Sequence, residues 1–212
     1  MKVTWIGHSC FKVEAENWSV VFDPSEDGYV PGIKPMREEA DLVICSHDHG
    51  DHNAADLIKL TGRKPDLKIT TIHTFHDEEE GALRGVNDIS IVDDGKCRIA
   101  HFGDLGCMPT EEQLETLTGL DLVMIPVGGY YTIDGEMAAK IIKTIEPKVV
   151  IPMHFRDEDL GFGFDVISTV EPFCYYMGSS DTINYCEVEI DFAQLPGEEI
   201  TVLVLKPKNL EN

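Results

Sequence analysis

Basic residues are scarce in this chain: 17 lysines and arginines stand against 39 aspartates and glutamates, a formal net charge of −22. An excess of that sign repels polyanions, which excludes nucleic acid and anionic membrane as main partners. No apolar run approaches the roughly 20 residues needed to cross a bilayer, and Met1–His8 has neither the apolar stretch nor the cleavage site of a signal peptide. The six cysteines include no Cys-x-x-Cys pair, and several interrupt apolar runs. They read as mostly buried thiols, and the chain as cytoplasmic. Repeats, linkers and low-complexity tracts are also missing, so residues 1–212 read as one domain, long enough to bury a core. Composition leaves homo-oligomerisation open.

What is present is an alternation of short apolar runs and turn signals. Strands are expected over 2–6, 10–14, 19–22, 42–45, 68–72, 89–92, 96–100, 122–127, 148–152 and 199–205. The run 42–45 has the continuous apolar character of a strand covered on both faces. Asp94-Gly95 marks a hairpin. Helices are expected over 54–60 behind Asn53, over 111–118 behind a Thr110/Gln113 capping box, over 135–145, and over 165–177 with a break at Pro172. Strands interleaved with helices describe an α/β (α+β) fold.

One stretch is denser in metal-binding side chains than any other: Cys45–Asn53 holds His47, His49, His52, Asp48 and Asp51. Imidazoles and carboxylates at such short intervals converge on one or two divalent ions. Side chains two apart on an extended segment point the same way, so His47 and His49 can share an ion. Asp51 and His52, at the turn that follows, can face a second. Apolar runs also exit on His76, Asp104 and His154, and in covered sheets such exits gather along one edge. A lone histidine at a strand end is more often a satisfied core residue; recurrence at four exits, His47 included, is what argues for a site.

These residues resemble the metallo-β-lactamase superfamily. Trp5-Ile6-Gly7-His8-Ser9-Cys10-Phe11, Asp23-Pro24, Phe75-His76-Asp77, Arg84-Gly85-x-Asn87, Gly103-Asp104-Leu105-Gly106, Pro126-Val127-Gly128-Gly129 and Ile151-Pro152-Met153-His154 resemble its small single-domain metal-dependent hydrolases, a group related to ascorbate-6-phosphate lactonase and N-acyl ethanolamine phospholipase D. The resemblance implies a four-layer αββα sandwich. It implies one divalent metal ion on His47, His49 and His76, another on Asp51, His52 and His154, and Asp104 bridging. Zinc is the expected ion, with manganese or iron as alternatives. The activity implied is hydrolysis of a small-molecule ester, lactone or phosphodiester, an anionic one included, by a metal-bridging hydroxide.

Asp51 can also orient the attacking water. His8, Asp23 and Asn87 are candidates to support the ligands, with His8 placed among the catalytic residues; Arg84 is a candidate clamp for a substrate anion, and Tyr131 or Tyr130 a candidate donor to a developing oxyanion. His73 competes with His76, since only one of two residues three apart should face the site, and the Phe-His-Asp context favours His76. Cys107 is a weaker alternative ligand. A di-iron oxidoreductase on the same fold usually carries an acid where His49 stands; a metal-containing sensor without turnover is the third reading.

Overall fold

β-Branched and aromatic residues make the first three strands, β1 (Lys2–Gly7), β2 (Cys10–Glu14) and β3 (Ser19–Phe22), an antiparallel meander that pairs Trp5 with Phe11 and Phe11 with Phe22. The computed structural model describes residues 1–178, 181–182, 185–195, 197 and 199–211. Next in the chain come β4 (Glu39–Ala40), β5 (Leu42–Ile44), β6 (Lys59–Leu60), β7 (Lys68–Phe75), β8 (Val86–Asp93) and β9 (Arg98–His101). The rest is α1 (Glu111–Thr116), β10 (Leu122–Pro126), α2 (Gly135–Ile145), β11 (Val149–Met153), α3 (Glu171–Met177), β12 (Asp181–Thr182), β13 (Glu187–Glu189) and β14 (Thr201–Val204).

One sheet has the order β13-β1-β2-β3-β5, with β5 parallel to β3 at its edge. The other runs β12-β14-β11-β10-β9-β8-β7; β9, β10, β11 and β14 are parallel, and β8 is antiparallel to both its neighbours. The sheets meet face to face. Phe22 of the first lies flat on His101 of the second, 5.1 Å away and 3° from parallel. Trp5, Phe11 and Phe155 fill the same interior without solvent exposure. Helix α2 turns Ala138, Ile141, Ile142 and Ile145 inward onto β10 and packs beside α1 and α3. Among the described residues no helix is long and apolar enough to cross a membrane.

Several elements depart from expectation. The segment 54–60 forms one 3₁₀ turn, Ala55–Leu57, and then β6, which pairs with β4 in a small ribbon. Strand β5 is half-buried along its length because it is an edge strand. Pro172 starts α3 in the first turn, where its missing N–H costs nothing, so the helix is shorter than 165–177. Strands β7 and β8 are longer than expected, and only Cys10 and Cys97 among the cysteines are buried.

Candidate metal centre

Six chain segments bring polar side chains to one rim between the sheets. The β1–β2 turn supplies His8, the end of β3 Asp23, and the loop after β5 His47, His49, Asp51 and His52. The second sheet supplies His76 after β7, Asp104 after β9 and His154 after β11. His8, Asp23 and His154 all have positive φ, near 55°, 42° and 54°, an unfavourable backbone for residues other than glycine that clusters where function requires it.

Backbone hydrogen bonds close the His-rich loop on itself. The N–H groups of His52 and Asn53 both donate to the His49 carbonyl, at 2.9 and 3.0 Å, and that of Ala54 donates to Pro24 at 2.8 Å. Gly106 lets the loop after β9 pass the His76 backbone, where a Cβ would stand 2.2 Å from the carbonyl carbon. Asn87 holds the next turn: its Oδ1 accepts the Asp104 N–H at 2.8 Å, and its Nδ2 donates to Thr74 Oγ1 and the Phe102 carbonyl.

The donor atoms fall into two groups. His47, His49 and His76 form one; His8, Asp51, His52 and His154 form the other; His47, His52 and Asp104 link them. Asp104 Oδ2 lies 3.2 Å from Nε2 of each of His52, His76 and His154. That exceeds the 2.7 Å charge-assisted bond between His52 and Asp23. Cation bonds of about 2.0–2.1 Å put neighbouring tetrahedral donors about 3.3 Å apart. The spacing therefore fits donors arranged around cations, and buried Nε2 of His52 and Oδ1 of Asp104 have no hydrogen-bond partner among the described residues.

Asp23 steers one imidazole of each group. Its Oδ2 accepts the Nδ1–H of His52, and also the hydroxyl of Ser46 at 2.6 Å. Ser46 Oγ in turn takes the Nδ1–H of His47 at 2.9 Å, so both rings turn Nε2 toward the cluster. Burial pushes His47 down to about 3 and His8 down to about 4, leaving both neutral at physiological pH. Burial acts on His52 in the same direction, but Asp104 and Asp23 overcome it and hold its pKa well above the usual value. Asp51 and Asp104 are held low against burial, Asp51 by His52 and His8, Asp104 by His154 and His52.

A cavity of about 270 Å³ opens over the cluster, lined by His49, Asp51, His76 and Asp104 together with Arg84 and Tyr131. The Arg84 guanidinium lies 5.7 Å from the Tyr131 ring centre. Its loop is wrapped around Asp77, whose carboxylate accepts backbone N–H groups from Glu79, Gly81, Leu83 and Arg84.

The weaker alternatives lie outside the cluster. His73 projects from within β7, its side chain 84% exposed and paired with Asp88 at 2.7 Å. Cys107 contacts the Phe75 carbonyl at 3.9 Å and belongs to neither donor group. Tyr130 points to solvent. His8, a candidate to support the ligands, falls within the group formed with Asp51, His52 and His154. His101 is a residue the sequence reading passed over: fully buried, it donates Nε2–H to the Ser9 carbonyl and stands 3.7 Å behind Asp23.

A beta-lactamase superfamily domain model matches residues 2–154. The chain belongs to that superfamily. It is 30% identical over 195 residues to a UPF0173 metal-dependent hydrolase of Nitratidesulfovibrio vulgaris, covering 73% of this chain and 80% of that one. A UPF0173 metal-dependent hydrolase of Hyperthermus butylicus is 26% identical over 194 residues, 73% of this chain and 83% of the other. Among solved structures, a candidate Zn-dependent hydrolase of the metallo-beta-lactamase superfamily from Thermotoga maritima superposes with a TM-score of 0.74 at 27% identity, over 97% of this chain and 99% of that one. The mixed α/β architecture seen here is the metallo-β-lactamase fold.

Proposed function

We propose that the protein is a dinuclear metal-dependent hydrolase acting on a small anionic ester, lactone or phosphodiester. The observation that carries this reading is Asp104 Oδ2, set 3.2 Å from ring nitrogens belonging to both donor groups, as a bridging carboxylate requires. His47, His49 and His76 would hold one cation, and Asp51, His52 and His154 the other. Cations bound there supply Lewis acidity and a water-derived nucleophile at neutral pH.

The chain's own groups account for the rest. Asp51, at the cavity wall, is placed to accept a proton or to fix the orientation of a water. Tyr131 lines the same space and is the candidate donor to a developing oxyanion. Arg84, alone of the five arginines, has no acidic partner among the described residues, and it offers a two-pronged site for a carboxylate or phosphate. A cavity near 270 Å³ admits a small molecule. Imidazole at His49, grouped with His47 and His76, favours hydrolysis over di-iron redox chemistry.

Elemental analysis of protein purified without added metal, followed by ester, lactone and phosphodiester screens with the ion found, tests the reading. Turnover that disappears in Asp104→Asn together with bound metal supports it. A metal-replete protein inert across such panels, or His47→Ala retaining every ion, overturns it.

A further inference from the structure

We propose that His8 is itself a metal ligand, the fourth protein donor of the second cation site beside Asp51, His52 and His154. The proposal rests on the two-cation reading above and adds a residue to it from outside the His-rich loop, in the β1–β2 turn of the same sheet.

His8 has no exposed surface, and neither of its ring nitrogens has a hydrogen-bond partner among the described residues. A buried imidazole with both nitrogens idle is unfavourable unless something else takes a lone pair. A supporting role would look different. Asp23 supports His52 at 2.7 Å and Ser46 supports His47 at 2.9 Å, both true hydrogen bonds. His8 Nε2 instead stands 3.4 Å from Asp51 Oδ2, which nearly repeats the 3.5 Å between His52 Nε2 and that same oxygen. Both lengths approximate the edge of a tetrahedron of donors around one cation, about 3.3 Å. Donor atoms of His8, Asp51, His52 and His154 all lie within 4.8 Å of one another.

The backbone fixes the ring in this place. The His8 carbonyl accepts the indole N–H of Trp5 at 2.9 Å and the N–H of His154 at 3.4 Å, which ties the β1–β2 turn to the residue at the end of β11. The two imidazoles lie 4.0 Å apart, and Phe164 packs edge-on against His8 at 5.4 Å. With φ near 55°, His8 keeps a conformation that favours glycine, and the ring it delivers is the compensation. The sites then differ. The first, through His49, faces solvent; the second has three imidazoles and a carboxylate, all buried, and should release its ion last.

The test uses the full chain as wild type, His8→Gln and His8→Ala, stripped with chelator and reloaded with cobalt(II). Hyperfine-shifted ring N–H signals in the proton NMR spectrum count the bound imidazoles, and cobalt retained against graded chelator measures each site. We expect both variants to lose one shifted ring N–H relative to wild type and to release one of two cobalt equivalents at tenfold or more lower chelator. Two retained equivalents with an unchanged set of shifted signals would overturn the assignment of His8 while leaving the two-cation reading intact; wild type that takes up no cobalt would overturn both. Should neither variant fold, zinc-loaded wild type with 15N-labelled histidine decides the matter. His8 must then add a metal-bound ring nitrogen to those of His47, His49, His52, His76 and His154, and its absence refutes the proposal.

Discussion

Asp23 Oδ2 lies 2.7 Å from Nδ1 of His52, and the same oxygen reaches His47 through Ser46 Oγ. One buried carboxylate thus fixes the tautomer of an imidazole in each donor group. Asp23→Asn offers a single oxygen where the Ser46 N–H, the Ser46 hydroxyl and the His52 N–H all need an acceptor. Both ions should be held roughly 10–100-fold more weakly, the usual cost of losing such a partner. Chelator competition on the purified variant measures this; wild-type retention of both ions would show that Asp23 serves packing alone.

Arg84 should set substrate charge. Replacing it with methionine keeps much of its length but removes the guanidinium, and with it the approach to the Tyr131 ring. A hydrogen bond to a charged group is worth about 1.5–3 kcal/mol, so kcat/KM for an anionic substrate should fall roughly 10- to 100-fold. A neutral ester of matching size should be turned over as before. Equal losses on both substrates would remove Arg84 from recognition and leave it a part of the loop wrapped around Asp77.

Most of the sheet framework could be read from alternation and turn chemistry, and the donor residues from their place at strand exits. What escaped was decided by contacts remote in sequence. Residues 54–60 are good helix formers, but the N–H of Ala54 is claimed by the Pro24 carbonyl, and Asn53, the expected cap, donates its side-chain amide to Asp48 instead. The pairing of Lys59 and Leu60 with Glu39 and Ala40 then holds the segment extended. His73 was ambiguous because the strand was expected to stop at Ile72. It continues to Phe75, and with Ile72 and Thr74 buried, parity puts His73 on the outer face. His101 was hidden by position, since a histidine closing an apolar strand three residues before Asp104 reads as a lead-in to that residue rather than as a buried prop for Asp23.

Gly128 is fixed by space. A Cβ there would stand 2.0 Å from the His154 carbonyl oxygen, backbone that has no flexible end to move aside. Gly128→Ala should therefore destabilise the fold by about 1–3 kcal/mol, the usual cost of overpacking, and should push the end of β11 away from the cluster. Thermal melts would show a drop of several degrees, with weaker metal retention through the displaced His154. An alanine variant that melts and binds metal as wild type does would contradict this.

The metal-free protein should lose stability between pH 6.5 and about 4. His8 is lowered to about 4 in the fold and His47 to about 3, while both return to about 6.5 when the chain unfolds. A lowered histidine contributes its full stabilising difference above pH 6.5, where both states are neutral. That difference shrinks as acid protonates the unfolded chain first, and for His8 it is gone below about pH 4. His52 does not mask the effect: its raised pKa gives stability that is fully present below pH 6.5 and is lost only as pH rises through the folded value. Asp51 and Asp104, held low, retain their contributions until the pH falls below the ordinary carboxylate range. From pH 6.5 to 4 the loss attributable to His8 alone is therefore on the order of 3 kcal/mol. Denaturant unfolding of chelator-treated protein across this range measures it, and His8→Gln should flatten the slope. Bound ions, which compete with protons for the same nitrogens, should move the acid transition to lower pH. A metal-free wild type equally stable at pH 6.5 and 4 would mean that these imidazoles are not buried as the fold requires.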